Sequence, residues 1–179
     1  MKNKKALIAI LAVAIFAAIG GTFAYFRYSQ TFSNQFRLGA QEVKYVETFN
    51  SPSSWTPCTE TPKTLVITNN STSAINARVK ITESWTKTEG NGSLPLKVNN
   101  QNMAVINFQN TSDWTLKSDG YYYYKNAINS KSSSNSFIKS VTFNCNAESD
   151  YSSARYQLSL HVETIESSAE ARAREGWQL

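Results

Sequence analysis

A strict alternation of apolar and polar side chains runs through residues 155–165, near the end of the chain. Its even positions carry Tyr156, Leu158, Leu160 and Val162, and its odd positions include Gln157, Ser159, His161 and Glu163. Successive side chains of a β-strand point to opposite faces, so this period of two indicates a strand with one buried face. Few windows elsewhere show a helical period, and the chain is therefore predicted to be rich in strands.

Shorter segments with the same β character recur along the chain. They span residues 42–49, 63–69, 76–85, 103–108, 114–116, 121–125 and 137–143. Segments 114–116 and 121–125 are predicted to form a hairpin around Ser118-Asp119-Gly120. Seven or eight short strands separated by Asn, Ser and Gly turns are typical of an antiparallel β-sandwich.

Three segments do not follow the strand pattern. Residues 167–175 are rich in helix formers and precede Gly176, which predicts a short terminal helix or a tail. Residues 87–101 are polar and contain two glycines and a proline, so a long loop is expected. The serine-rich segment 130–136 is expected to be a flexible connection.

The first 24 residues have the layout of a secretory signal peptide. A basic start precedes an uncharged apolar run over residues 6–19. Thr22 and Ala24 then place small or β-branched side chains where signal peptidase accepts them, so cleavage is predicted between Ala24 and Tyr25. An uncleaved membrane anchor is the alternative, because residues 6–26 are long enough to span a bilayer.

Charge and histidine content argue against several functional classes. The chain carries 18 Lys and Arg against 13 Asp and Glu, a net charge of +5. Three of the lysines lie in the leader, and the rest of the chain has no basic cluster, so nucleic-acid binding is not expected. His161 is the only histidine. A zinc protease site needs a pair of His ligands, so such a site is not expected. A Ser-His-Asp triad is not expected either. We therefore expect neither an enzyme nor a bound metal or other cofactor.

Two cysteines lie at the ends of predicted strands. Cys58 precedes segment 63–69, and Cys145 follows segment 137–143. If these strands are antiparallel neighbours, both sulfurs lie at the same end of the sandwich, and export favours a disulfide between them. Two free buried thiols are the alternative.

The segment directly behind the cleavage site, residues 25–39, has an aromatic pattern that fits two structures. Even positions carry Phe26, Tyr28, Phe32, Phe36 and Leu38. This period of two favours a strand that export would free for donation to the sheet of another subunit. The same segment also carries aromatic residues at a spacing of three and four, which fits a helical stripe packed on its own domain.

Several motifs occur together in a fixed order. The leader junction is Gly20-Gly21-Thr22-Phe23-Ala24-Tyr25-Phe26, and later elements are Asn34-Gln35-Phe36-Arg37-Leu38-Gly39, Glu47-Thr48-Phe49, Trp55-Thr56-Pro57, and Trp114 followed by Gly120-Tyr121-Tyr122-Tyr123-Tyr124-Lys125. With these motifs the chain resembles the TasA/camelysin family of exported proteins over nearly its whole length. It departs from that family at Cys58, where members often have glycine, and at residues 130–136, where many have Pro-Gly.

The resemblance implies a jelly-roll-like sandwich and a structural role outside the cell. Some family members form extracellular fibres of biofilm matrix by lending an N-terminal strand to the next subunit. The expected partners are an endoplasmic-reticulum-type signal peptidase and further copies of this chain or related matrix proteins, with membrane contact only through an uncleaved leader. A surface carbohydrate- or protein-binding module is the alternative, and a camelysin-type protease is a weaker one.

The expected organisation has four parts. A signal peptide covers residues 1–24, the aromatic segment and candidate donor strand covers 25–39, the sandwich covers 40–166, and a terminal helix or tail covers 167–179. The expected location of the mature chain is the cell surface or the extracellular matrix.

Overall fold

Two β-sheets packed face to face form the part of the chain that the structure describes. The computed structural model describes residues 31–32, 43–49, 57–87, 92–147, 149–152 and 154–177. The predicted signal peptide, the predicted Ala24–Tyr25 cleavage site and the predicted assembly residues Phe26, Tyr28 and Phe36 lie outside these ranges. The predicted all-β antiparallel sandwich is confirmed.

The first sheet is built around two long strands, β4 (Ile75–Lys87) and β12 (Ala154–Glu166). They pair antiparallel along 13 residues each. The shorter strands of this sheet are β1 (Thr31–Phe32), β5 (Ser93–Leu94), β9 (Trp114–Leu116) and β10 (Tyr121–Tyr124). The order across the sheet is β1-β12-β4-β10-β9, with β5 paired to β4.

The second sheet is antiparallel throughout. Its strands are β2 (Val43–Phe49), β3 (Glu60–Asn69), β8 (Ala104–Phe108) and β11 (Ile138–Phe143), in the order β2-β3-β11-β8. A small hairpin of β6 (Lys97–Val98) and β7 (Gln101–Asn102) precedes β8. Two short helices, α1 (Ser149–Ser152) and α2 (Ala169–Glu175), lie before and after β12.

The alternation that predicts β12 corresponds to a buried face and an outer face. Its even-numbered residues from Tyr156 to Val162 are at most 3% exposed, and the odd-numbered residues between them are half-buried. Full burial of one large apolar side chain contributes about 1.5–3 kcal/mol. A register shift of one residue would turn this whole row to solvent, so the pattern fixes the register of β12 against β4.

Side chains from both sheets meet in two adjoining clusters. The first contains Leu65 and Ile67 from β3 together with Val79 from β4 and Leu160 from β12. The second is centred on Trp85, and its ring centroid lies 5.0 Å from that of Phe143, 5.1 Å from that of Tyr151 and 4.9 Å from that of Tyr156. Both inner faces are thus joined by one continuous apolar layer.

The hairpin predicted around Ser118-Asp119-Gly120 is confirmed. Strands β9 and β10 pair from Tyr124 beside Trp114 to Tyr122 beside Leu116. Gly120 has a φ of 80°, a left-handed conformation that glycine adopts at little cost, and its N–H donates to the carbonyl of Lys117.

The expected long loop over residues 87–101 is wrong for the part that the structure describes. β5 pairs with β4, with Leu94 beside Trp85, and the β6–β7 hairpin begins at Lys97. These strands are two residues long, too short to show a period in the sequence.

The serine-rich segment 130–136 is an irregular edge of the second sheet, and the expected flexible connection is wrong. β11 pairs with β3 only at Glu60, Thr61 and Pro62. Farther along β3, the Ser134 hydroxyl accepts a hydrogen bond from the Ile67 N–H at 3.1 Å, and the Ser134 N–H donates to the Ile67 carbonyl at 2.9 Å. The segment therefore supplies the partners that β3 would otherwise lack.

The helix predicted over residues 167–175 is confirmed as α2. The Ser168 hydroxyl accepts a hydrogen bond from the Ala171 N–H, and Gly176 ends the helix in a left-handed conformation. The residue that follows, Trp177, is only 7% exposed. The end of the described chain therefore packs onto the sandwich. Among the described residues, no helix is long and apolar enough to cross a membrane.

Candidate functional site

The predicted assembly segment meets the domain at the outer edge of the first sheet. Within residues 25–39 the structure describes Thr31 and Phe32, which form β1. β1 runs parallel to β12 of the same chain, with Thr31 beside His161 and Phe32 beside Val162. At these two residues the segment is a strand, as the period of two predicts, and not the alternative helix.

Most of this edge of β12 has no strand beside it in the described ranges. β12 is 13 residues long, and β1 pairs with two of them. On the opposite side, β4 pairs with β12 along its whole length. The N–H and C=O groups of an edge strand are a template for another strand, so this edge can accept a longer donor than β1.

The disulfide predicted between Cys58 and Cys145 is present, with a Cα–Cα distance of 4.6 Å. The Cys58 N–H donates to the carbonyl of Phe143 at 3.0 Å, immediately beyond the pairing of β3 with β11. The geometric argument from the strand ends is therefore correct. Cys58 has a φ of 68°, a left-handed conformation that glycine adopts at little cost. Glycine is the residue that members of the TasA/camelysin family often have at this position.

A second candidate site covers the outer face of the first sheet and is centred on Arg78. We call it the Arg78 cluster, and its members are Arg78, Asp119, Tyr121, Tyr123, His161, Glu163 and Trp177. The guanidinium carbon of Arg78 lies 4.2 Å from the ring centroid of Tyr121 and 4.6 Å from that of Trp177. Such cation–π contacts are favourable, and more so when water is partly excluded.

Hydrogen bonds connect the charged members of the Arg78 cluster. Arg78 donates from Nε to Glu163 at 2.7 Å and from Nη1 to the Tyr123 hydroxyl at 2.7 Å. The Tyr123 hydroxyl in turn donates to Asp119 at 2.6 Å, and the Tyr121 hydroxyl donates to Glu163 at 3.0 Å. The network joins β12, β4 and the β9–β10 hairpin across the outer surface of the sheet.

The network controls the protonation of its two carboxylates. Burial alone would raise the pKa of Glu163, but the hydrogen bonds from Arg78 and Tyr121 outweigh burial, and the pKa is lowered. The pKa of Asp119 is also lowered, because the hydrogen bond from Tyr123 and the charge of Arg78 outweigh partial desolvation. Both carboxylates therefore stabilise the folded state in their charged form.

We expect the Glu163→Gln substitution to destabilise the mature protein by about 1–2 kcal/mol at neutral pH, because it removes a charged acceptor. The folded-state pKa of Glu163 lies below its ordinary value of 4.5, so its contribution is full above that value and disappears as the pH falls through the folded pKa. Urea unfolding over a series of pH values from neutral into the acid range should show the difference in stability between the two proteins shrinking once the pH falls through the folded-state pKa of Glu163.

Glu170→Gln on the exposed side of α2 is the matched control for this prediction. It removes the same charge from an exposed position outside the cluster, and it should cost no more than the ~0.3–1 kcal/mol that an acidic side chain contributes in the first turn of a helix. A Glu163→Gln protein as stable as the unmodified one at neutral pH would contradict the role of the network.

His161 belongs to this surface and not to a metal site in the described structure. Its Nε2 atom lies 3.0 Å from Oε1 of Glu163, and its ring meets that of Tyr121 edge-on. Among the described residues, no three His, Cys, Asp or Glu side chains are grouped as metal ligands.

The side chains of the Tyr121–Tyr124 run alternate between the two faces of the sheet, but the outward ones are not freely exposed. Tyr122 and Tyr124 pack with the first core cluster, whereas Tyr121 and Tyr123 face outward. Tyr123 is only 1% exposed, and the ring of Trp177 packs edge-on against it. Tyr123 is therefore closed to a ligand, because Trp177 covers its ring on the outer face of the sheet.

A groove opens between the two sheets on the flank away from β1. It encloses about 340 Å³ and lies between β8 and the β9–β10 hairpin. Apolar side chains on its rim include Val105, Phe108 and Leu116, which are 41%, 38% and 56% exposed. Glu83 also lines it and accepts a hydrogen bond from the Tyr156 hydroxyl at 2.6 Å.

No family model, no curated protein and no solved structure matches the chain. The resemblance to the TasA/camelysin family thus rests on the motifs of the sequence, and family membership stays a prediction.

Sequence reasoning did not find the Arg78 cluster or the interior pair of Lys63 and Glu47. Trp177 lies in a segment that resembles a tail, and its contact with Arg78 joins residues 99 positions apart in the chain. The interior pair did have a signal in the sequence. Lys63 shares its parity with Leu65 and Ile67 on a predicted strand, which places a charged residue on the core face.

Proposed function

We propose that this chain is an exported structural protein that assembles into extracellular fibres or biofilm matrix by donating its N-terminal strand to the next copy. The observation that carries the proposal is the position of β1. It is an edge strand from the segment behind the predicted cleavage site, and within the described ranges it pairs with two of the 13 residues of β12.

Exchange between copies would preserve the contacts that β1 makes within its own chain. A strand that pairs with its own β12 can pair in the same way with β12 of a neighbour, which is the principle of domain swapping. Residues 33–42 connect β1 in the first sheet to β2 in the second. Exchange is head-to-tail when each copy gives its strand to one neighbour and receives a strand from another, and such an interface extends into a filament when it does not close into a ring.

The aromatic residues of the donor segment supply the expected binding energy. Phe26, Tyr28, Phe32 and Phe36 share one face of an extended chain. Burial of one such ring contributes about 1.5–3 kcal/mol, so several rings together outweigh the cost of ordering the segment. Main-chain hydrogen bonds to β12 would add to this and fix the register.

The disulfide supports export as part of the proposal. Disulfides persist in oxidising compartments and are rare in the reducing cytosol. The Cys58–Cys145 bridge is thus compatible with an extracellular protein. Removal of the signal peptide at Ala24 would free the donor segment from the membrane at the same time as it releases the chain.

A surface-binding module is the second candidate, and the groove beside β8 favours it. Its exposed apolar rim and the inward Glu83 could hold an extended peptide or a sugar chain. A camelysin-type protease finds less support, because His161 is held by Glu163 in the Arg78 cluster.

Electron microscopy of the mature chain tests the proposal. Protein that begins at Tyr25 is expected to form fibres that sediment on ultracentrifugation. Protein that keeps residues 1–24 in detergent is the control, and it should stay unassembled because the donor segment remains anchored. Mature protein that stays monomeric at high concentration but binds glycans would contradict assembly and favour the binding module.

A further inference from the structure

Lys63 and Glu47 meet inside the sandwich, on the inner face of the second sheet. In the register of β2 and β3, Glu47 lies beside Leu65, and Lys63 precedes Leu65 by two residues on the same face of β3. The Lys63 side chain is 0% exposed and that of Glu47 is 5% exposed. Neighbouring strands hold the two side chains diagonally opposite each other, a position that long side chains span.

The ends of these two side chains are in direct contact. The Lys63 amine donates a hydrogen bond to Oε1 of Glu47. Leu65, directly opposite Glu47, is 3% exposed and belongs to the first core cluster. The amine and the carboxyl group therefore meet beside the first core cluster, where both side chains have almost no access to bulk water.

Burial favours the uncharged forms of both groups. It raises the pKa of Glu47 and lowers the pKa of Lys63, although the hydrogen bond between them acts in the opposite direction. An uncharged amine has the lone pair that a nucleophile needs, and an uncharged carboxylic acid has a hydroxyl that can leave as water. The pair thus combines a nucleophile and an electrophile at contact distance.

We propose that Lys63 and Glu47 become joined by an intramolecular isopeptide bond. The Nζ lone pair attacks Cδ of Glu47, a bond forms between Nζ and Cδ, and the bond from Cδ to the hydroxyl oxygen breaks. The hydroxyl leaves with one amine proton as a water molecule. The step changes no oxidation state and needs no further reactant.

The fold provides the conditions that this condensation requires. Fixed contact between the reacting groups replaces a collision in solution and removes most of its entropic cost. Exclusion of water opposes the reverse hydrolysis. The product would tie β2, an edge strand of the second sheet, covalently to β3. This inference does not depend on whether the chain assembles.

Mass spectrometry of the full chain, reduced and alkylated, tests the bond directly. The protein should be lighter than its sequence by one water molecule. Trypsin cleaves after Lys44, Lys63 and Arg78, but an acylated Lys63 is not a substrate. We therefore expect one peptide of residues 45–78 that lacks one water, with fragment ions that place the link between Glu47 and Lys63.

Separate peptides 45–63 and 64–78 at full mass would overturn the proposal and leave a buried ion pair. The Lys63→Arg variant is the control, because it keeps a positive charge but cannot form this amide, and it should show the full mass. Lys44→Arg, on the exposed face of the same hairpin, should lose one water as the unmodified chain does. The measurement on the unmodified chain decides the question even if the Lys63 variant does not fold.

Discussion

Replacing Phe32 with aspartate is expected to abolish fibre formation by the mature protein while leaving its monomer folded. Phe32 is the member of the aromatic set whose backbone the structure describes, and it lies beside Val162 of β12. In a donated strand its ring would enter the apolar layer between the sheets. Loss of that ring costs about 1.5–3 kcal/mol, and a carboxylate in its place adds a desolvation penalty. Sedimentation and electron microscopy measure the outcome.

Thr31→Asp is the matched control, because it introduces the same charge into the same strand at the neighbouring position. Side chains of consecutive strand residues point to opposite faces, so this aspartate should leave assembly largely intact. The Phe32→Asp monomer should keep its β-type circular dichroism and a cooperative unfolding transition, since β4 supports β12 along 13 residues without β1. If that monomer unfolds instead, the segment belongs to its own domain and donation is excluded.

The strands that could be predicted from the sequence are the ones with a buried and an exposed face. β12 and β4 are long, and their side chains alternate over most of each strand, so the pattern indicates a strand clearly. The Trp114–Leu116 and Tyr121–Tyr124 hairpin could be predicted because Gly120 marks its turn. In these elements the local sequence carries the signal and the tertiary structure agrees with it.

The segments that were predicted wrongly depend on partners that are distant in the chain. The serines of 130–136 have the composition of a linker, yet Ser134 and Ser136 bind N–H groups of β3, 67 and 71 positions away. Whether a serine hydroxyl faces water or an unpaired strand is decided by the packing of the two sheets. A period or a composition cannot report that packing.

The Arg78 cluster was missed for a related reason. Outward positions of a strand are expected to be polar, so Arg78 and Glu163 look like ordinary surface residues in the sequence. The cluster forms only when the fold brings the tyrosines of β10 and Trp177, which follows α2, into contact with the Arg78 guanidinium. By contrast, the disulfide could be predicted, because the two cysteines lie at the matching ends of β3 and β11.

Removing the Cys58–Cys145 bridge is expected to lower the free energy of unfolding by about 4–5 kcal/mol in the chain-entropy model. The bridge links residues 87 positions apart and therefore restricts most of the unfolded domain. The native strands β3 and β11 remain paired without it. Urea unfolding of a Cys58→Ser, Cys145→Ser protein should show this loss. Addition of reductant should lower the unmodified protein to the same stability and leave the variant unchanged.

The left-handed backbone at Cys58 allows the effect of the bridge to be separated from that of the local conformation. With a φ of 68°, serine at this position keeps the strain that any residue with a Cβ atom has there, whereas glycine does not. Cys58→Gly with Cys145→Ser should therefore be at least as stable as the double serine variant, and both should fall well below the bridged protein. If either variant unfolds within about 1 kcal/mol of the bridged protein, the bridge does not restrict the unfolded chain as the loop length predicts. Retention of fibres by these variants would further show that the bridge stabilises each subunit and that assembly does not require it.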